Sequence, residues 1–155
     1  MKFIADAMLG RLSKWLRLSG FDVLYYPDID DREVIKISRE QDRTILTRDT
    51  RLLQCRGVRD AVFIRSDHIA EQLLEMKGML APHDSDREER CVACNETLQA
   101  VSDRGDVQDL VPDYVYHNYE SFMRCSGCGK VYWEGSHYKI ICERTSEILR
   151  KNNED

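Results

Sequence analysis

Two short cysteine knuckles restrict what this chain can fold into more than any other feature. They read Cys91-Val92-Ala93-Cys94 and Cys125-Ser126-Gly127-Cys128. Paired C-x-x-C spacings bring four thiolates to one tetrahedral ion, with Zn–S bonds of about 2.3 Å. Each knuckle is followed by a residue at ease with positive φ, Asn95 or Gly129, which suits a tight turn aiming amides at sulfur. The N-terminus lacks the charge, apolar core and cleavage site of a secretory signal. A cytoplasmic location is therefore expected, and zinc is expected ahead of disulfides. A closed Cys₄ site has no open position for a substrate, which gives its metal a structural role. Cys55 and Cys142 stand apart and read as small hydrophobes, and His117 and His137 are not needed as ligands.

Around the knuckles the pattern predicts a zinc ribbon, with strands at 98–101, 121–124 and Val131–Trp133. A last helix runs from a capping Ser136 through Leu149 and buries Ile140, Ile141 or Ile148. The aromatics Tyr114, Tyr116, Tyr119, Phe122, Tyr132 and Trp133 serve either as the ribbon's own core or as stacking platforms for unpaired bases. The charged stretch 81–90, which contains His83, lacks apolar period and reads as a linker. It divides a first domain, 1–80, from a zinc-ribbon domain, 91–150. The polar tail from Lys151 reads as frayed.

The first domain alternates short apolar runs with amphipathic stretches. Strands are expected at Lys2–Ala5, 21–26, Thr44–Thr47 and 61–64. Helices are expected at 8–19, Asp31–Gln41 and 67–80, with a short turn at 50–55. This alternation predicts an α/β fold with a parallel sheet flanked by helices and right-handed crossovers. In the first helix, Met8, Leu12, Trp15 and Leu16 share one face, while Arg11, Lys14 and Arg17 form a row on another. That row is either a solvated face or a track for a phosphate backbone. The formal charge is -5, so binding to nucleic acid needs such a local patch. No apolar run approaches the roughly 20 residues that cross a bilayer, so no membrane partner is expected.

Acids recur where strands end. Asp6 directly follows the first strand, Asp28, Asp30 and Asp31 the second, Asp49 the third and Asp67 the fourth. Parallel strands would bring these exits to one edge, the edge where α/β sheets place ligands. Several have a simpler use as caps: Asp30 with Glu33 resembles a capping box, Asp49 can cap the turn at Thr50, and Ser66-Asp67 can open a helix. Gathered carboxylates would need a cation, and hard oxygen ligands suit Mg²⁺ or Mn²⁺. Such an ion activates water and neutralises a phosphodiester.

Taken together, Phe3-Ile4-Ala5-Asp6-Ala7-Met8-Leu9-Gly10-Arg11-Leu12, Trp15-Leu16-Arg17, Leu46-Thr47-Arg48-Asp49 and Arg65-Ser66-Asp67 resemble the Mut-seven C-terminal ribonuclease domain family. The four cysteines, Val111-Pro112, Tyr114-Val115-Tyr116 and the run from Val131 to His137 extend the resemblance over nearly the whole chain. It implies a PIN-like fold fused to a zinc ribbon, and a metal-dependent ribonuclease of RNA processing or turnover. By resemblance, Asp6, Asp31 and Asp49 are the acids that hold Mg²⁺ or Mn²⁺. Arg51 stands in the region where related chains often carry a fourth acid, leaving Asp30 or Asp67 as substitutes. Arg11, Lys14, Arg17 and Arg48 are then expected to meet RNA. Two other readings stay open: a non-catalytic RNA-binding protein and a zinc-ribbon interaction adaptor.

Overall fold

The computed structural model describes residues 1–80 and 88–151. Most of the expected linker, His83 included, and the tail from residue 152 lie outside the described residues. Four short strands, β1 (Lys2–Ala5), β2 (Asp22–Tyr25), β3 (Thr44–Thr47) and β4 (Ala61–Phe63), form a fully parallel sheet in the order β2-β1-β3-β4. Side chains alternate across it as a period of two requires. Phe3, Ala5, Val23 and Leu46 enter one core with helices α1 (Gly10–Leu18) and α4 (Ile69–Glu75). Ile4 and Ile45 enter the opposite core with α2 (Asp31–Gln41) and α3 (Thr50–Leu53).

The first helix starts differently from the periodic expectation. Asp6 caps a 3₁₀ turn at Ala7–Leu9 before α1 begins. A 3₁₀ turn advances faster than 100° per residue, so Leu9 rotates inward and Met8, expected in the core, is 63% exposed. The helix ends in a Schellman-type turn: Gly20 takes φ 84, and the Phe21 amide donates to Leu16 O, satisfying carbonyls the helix cannot. In α2 the expected cap is present, with Asp30 accepting from the Glu33 amide at 2.9 Å.

The second half builds an antiparallel sheet, β5 (Leu98–Ala100), β6 (Phe122–Cys125) and β7 (Val131–Trp133), in that order. Between β5 and β6 lie two elements that periodicity did not reveal, a 3₁₀ turn at Arg104–Val107 and α5 (Asp113–Asn118). They supply Val107, Val111 and Val115 to a small core with Phe122 and Val131, joined by Tyr116, Tyr119 and Trp133. The Arg104 guanidinium donates to the carbonyls of Tyr116 and Tyr119. Most of the aromatics thus act as core, while Tyr114 is 72% exposed.

The last helix, α6 (Ser136–Arg150), is capped by Gly135; Ser136 is its first residue rather than its cap. The chain order groups α6 with the ribbon, but Ile141, Ile148 and Leu149 pack into the α1/α4 core. Ile140 stays outside. The first knuckle also grips the parallel sheet. β2 is an edge strand with an unspent donor, and the Asn95 side chain accepts from the Val23 amide at 2.9 Å. Asn95 also donates to Asp22, which Arg43 holds at 2.6 Å. Sheet unit and ribbon are therefore tied by buried polar contacts and by a returning helix.

Candidate active site and metal centre

The chain runs from β1 to β2 on one side, then from β3 to β4 on the other. Strand order therefore reverses between β1 and β3, and this is where α/β sheets open a crevice for ligands. Asp6 sits at that point, at the carboxyl end of β1, only 6% exposed. Its Oδ1 accepts from the Met8 amide at 2.8 Å, while Oδ2 accepts from Thr47 Oγ1 and from the Arg48 amide at 2.9 Å. Thr47 is fully buried, and its hydroxyl also accepts from the Asp49 amide at 2.9 Å. One hydrogen-bonded path thus runs from the Asp49 backbone through Thr47 to Asp6. Thr47 was not among the sequence candidates. The signal was a threonine two residues before an acid at a strand exit.

The other acids are less enclosed. Asp49 caps α3 by accepting from the Arg51 amide at 2.8 Å, with Arg51 Nε 3.7 Å away. Arg51, in place of an acid, therefore neutralises Asp49 in part. Asp31 is exposed in the first turn of α2, beside the capping Asp30. Asp67 is exposed and pairs with His68 at 3.5 Å. It does not cap α4, whose helix begins at Ile69. Glu75 accepts from the amides of Arg65 and Ser66, and Glu71 accepts from Ser66 Oγ. These two glutamates, unremarked in the sequence, shape the β4 exit.

Of the expected cations, Arg11 and Lys14 are exposed on α1. Arg17 departs from that row: it is 5% exposed, donating to Val23 O at 2.8 Å and to Val92 O at 2.7 Å. It joins α1, β2 and the first knuckle and offers no face to RNA. Burial lowers its pKa from the ordinary value, partly offset by nearby Cys91 and Cys94. Arg48 reaches the Arg65 carbonyl at 3.4 Å, while its buried Nε finds no partner among the described residues.

The four cysteines do converge, with all Sγ atoms within 4.8 Å of one another. Cys91 and Cys128 lie 3.6 Å apart, Cys94 and Cys125 3.3 Å, near the edge of about 3.8 Å for a tetrahedron with 2.3 Å Zn–S bonds. Amides of Gly127 and Cys128 point at Cys125 Sγ, and Tyr132 Oη lies 3.0 Å from Cys91 Sγ. Burial pushes the Cys91 thiol up, but the Tyr132 hydroxyl and the Cys94 and Ala93 amides outweigh it and bring Cys91 to about 6. Cys94, mainly through burial, is pushed up to about 12. Four thiolates cannot share this space without a cation, and the cluster can hold a structural metal such as zinc. Among the described residues it is the only group of three or more Cys, His, Asp or Glu so gathered. Asp6, Asp31 and Asp49 do not form a three-acid cage, and among the described residues no helix is long and apolar enough to cross a membrane.

A family model described as the Mut7-C RNAse domain matches residues 1–145. No curated protein and no solved structure matches the chain.

Proposed function

Because the chain belongs to the Mut7-C RNase domain family, we propose that it hydrolyses RNA phosphodiesters at the carboxyl edge of its parallel sheet, with Mg²⁺ or Mn²⁺. The observation that carries this reading is Asp6, a buried carboxylate at the β1/β3 switch point, fixed by Met8, Thr47 and Arg48. Mg²⁺ keeps most of its waters and takes one or two carboxylates together with substrate phosphates. That donor chemistry suits an open edge with Asp6 and Asp49, to which Asp31 adds an exposed carboxylate. When bound, the ion would activate water and neutralise the phosphodiester.

The remaining work falls to the protein's own side chains. Thr47 and the two amides hold the Asp6 carboxyl in one orientation, so no reorganisation is needed when RNA arrives. Arg48 places a guanidinium between the β3 and β4 exits, where it can meet a phosphate. Arg11 and Lys14 would extend that contact along α1. Asp30 and Asp67 remain available as further acids, although Asp30 already caps α2. The cysteine centre, read as zinc, would stabilise the ribbon and brace the sheet through Asn95 and Arg17. A role in RNA processing or turnover follows from this reading.

A second reading has its own observation. The acids are not gathered in advance, which fits a protein that binds RNA without cutting it. The deciding experiment incubates RNA with Mn²⁺ and compares wild type with Asp6→Asn and Asp49→Asn. We expect cleavage by wild type and its loss in Asp6→Asn with the fold retained by circular dichroism. Cleavage that survives both substitutions sinks the acid assignment. Salt-sensitive binding without cleavage selects the second reading.

A further inference from the structure

We infer that a basic groove on the outer side of α2, which starts beside the acid edge and leads away from it, binds the phosphate backbone of the RNA strand flanking the cut. The inference rests on the nuclease reading for the identity of its ligand. Arg32, Lys36 and Arg39 recur at i, i+4 and i+7, so α2 presents them on one face. At 1.5 Å per residue they span about 10 Å along the helix axis, enough to meet more than one phosphate. Arg56 and Arg59, on the loop between α3 and β4, line the same groove, which encloses about 610 Å³.

The loop closes onto the helix because Gly57 adopts φ +99. A Cβ there would come within 3.2 Å of Ile35 Cγ2 and 3.4 Å of Arg39 Nη1. Ile35 lies between the walls, and Glu40 is the one acid among the lining residues. Five cations against one carboxylate is a steep local excess in a chain whose net charge is -5. Lys36 has a partner in Glu33 at 3.8 Å, whereas Arg32, Arg39, Arg56 and Arg59 make no ion pair among the described residues.

Topology fixes where the groove leads. β2 delivers the chain to the carboxyl edge, α2 starts there at Asp31, and it returns to the opposite edge, where β3 begins. Arg32 therefore lies one residue from the acid edge, and Arg39 a further two turns along the flank. A strand held at Asp6 and leaving across Asp31 would run directly onto these cations. Arginine guanidinium groups with free donors suit phosphate oxygens, and their number favours a polyanion over a single small ligand.

The test measures anisotropy of labelled long and short oligouridylates over a salt series, on the full chain without added divalent ion. Wild type is compared with R32E/K36E, R56E/R59E, the gentler R56Q/R59Q and, as a contrast, R11E/K14E. We expect each groove reversal to weaken long RNA tenfold or more. The slope of log affinity against log salt should flatten by about 0.7 for each phosphate that is no longer neutralised. The neutral pair should show a smaller loss in the same direction, and short RNA should be little affected. Groove variants that bind long RNA as wild type does overturn the inference, and so does a wild type that prefers polyglutamate to RNA. Failure of the nuclease reading looks different: groove-dependent RNA binding persists, but no RNA is cut when Mn²⁺ is then added to the same samples.

Discussion

The cysteine centre and the acid edge are both sets of potential metal ligands, yet only the first is assembled. Each knuckle carries two sulfurs three residues apart on one turn, so local backbone geometry sets half the site and a single pairing of knuckles completes it. Cys91 is brought to about 6 and Cys94 pushed up to about 12, and a bound cation would offset the charge of four thiolates. The acids come from three separate strand exits. Two carboxylates about 4 Å apart repel by roughly 4 kcal/mol at an effective dielectric near 20. Two of them have instead found local donors: Asp6 caps the 3₁₀ turn and accepts from Thr47, and Asp49 caps α3. A structural site can have its ligands gathered by the chain alone, whereas a chemical edge can stay open until its substrate arrives.

The contrast is tested most severely at the metal centre. Cys125→Ser should abolish stoichiometric metal and unfold the ribbon, since structural zinc contributes on the order of 10 kcal/mol to folding of small modules. Elemental analysis and amide exchange check this, with protection lost through β5–β7 and better retained in β1 and β3. If metal is removed and the ribbon keeps its protection, the centre is not what folds it.

At the acid edge the expected effect falls on rate more than on stability. Asp6→Asn should lower RNA cleavage by about 100-fold or more. An asparagine must set its amide nitrogen against either the Met8 or the Arg48 N–H, so about 1–2 kcal/mol of stability should go with it. Single-turnover cleavage and urea melts on the same sample separate the two effects.

The two regions meet at Arg17, which behaves unlike its row-mates Arg11 and Lys14. Arg17→Ala should cost about 2–3 kcal/mol, because it strands the carbonyls of Val23 and Val92 that the guanidinium now serves. Arg11→Ala and Lys14→Ala should change stability by no more than about 0.5 kcal/mol, while weakening RNA binding measured by filter retention. If Arg17→Ala melts like wild type, the knuckle is not braced by the sheet.

The smallest effect concerns pH. Burial raises the Asp22 carboxyl, but hydrogen bonds from Arg43 and Asn95 and the charges of Arg43 and Arg90 outweigh it, leaving its pKa below the ordinary value. A carboxylate depressed in the folded state contributes stability above its unfolded pKa of about 3.9 and loses it as pH falls through the folded value. The stability gap between wild type and Asp22→Asn should therefore be constant from neutral pH down to about 4 and shrink below it. Urea melts across that range check the sign, and a gap that widens in acid would count against the Arg43 and Asn95 account.

Much of the molecule can be read without coordinates where the determinants are local. Lys2–Ala5, Asp31–Gln41, Thr44–Thr47 and Val131–Trp133 are expected and observed with the same bounds, because hydrophobic period and a capping acid mark them within a few residues. The four cysteines follow from spacing in the same way. Elements without strong period escape such a reading: α5 and the turn at Arg104–Val107 are too short to show one. Met8 lies outside the core because a 3₁₀ turn replaces the first turn of helix.

The parallel α/β unit, the cysteine centre and the family are thus legible in the amino-acid order, since each is written in neighbouring residues. Which groups face one another is settled only on folding. Folding buries Arg17 against two carbonyls, joins Thr47 to Asp6, sets Asn95 on the edge of β2 and returns α6 to the first core. It also leaves the acids apart and lines one flank of α2 with arginines from two elements. Those outcomes depend on distances between segments far apart in the chain, where burial, repulsion and hydrogen bonding compete, and no local pattern records which of them wins.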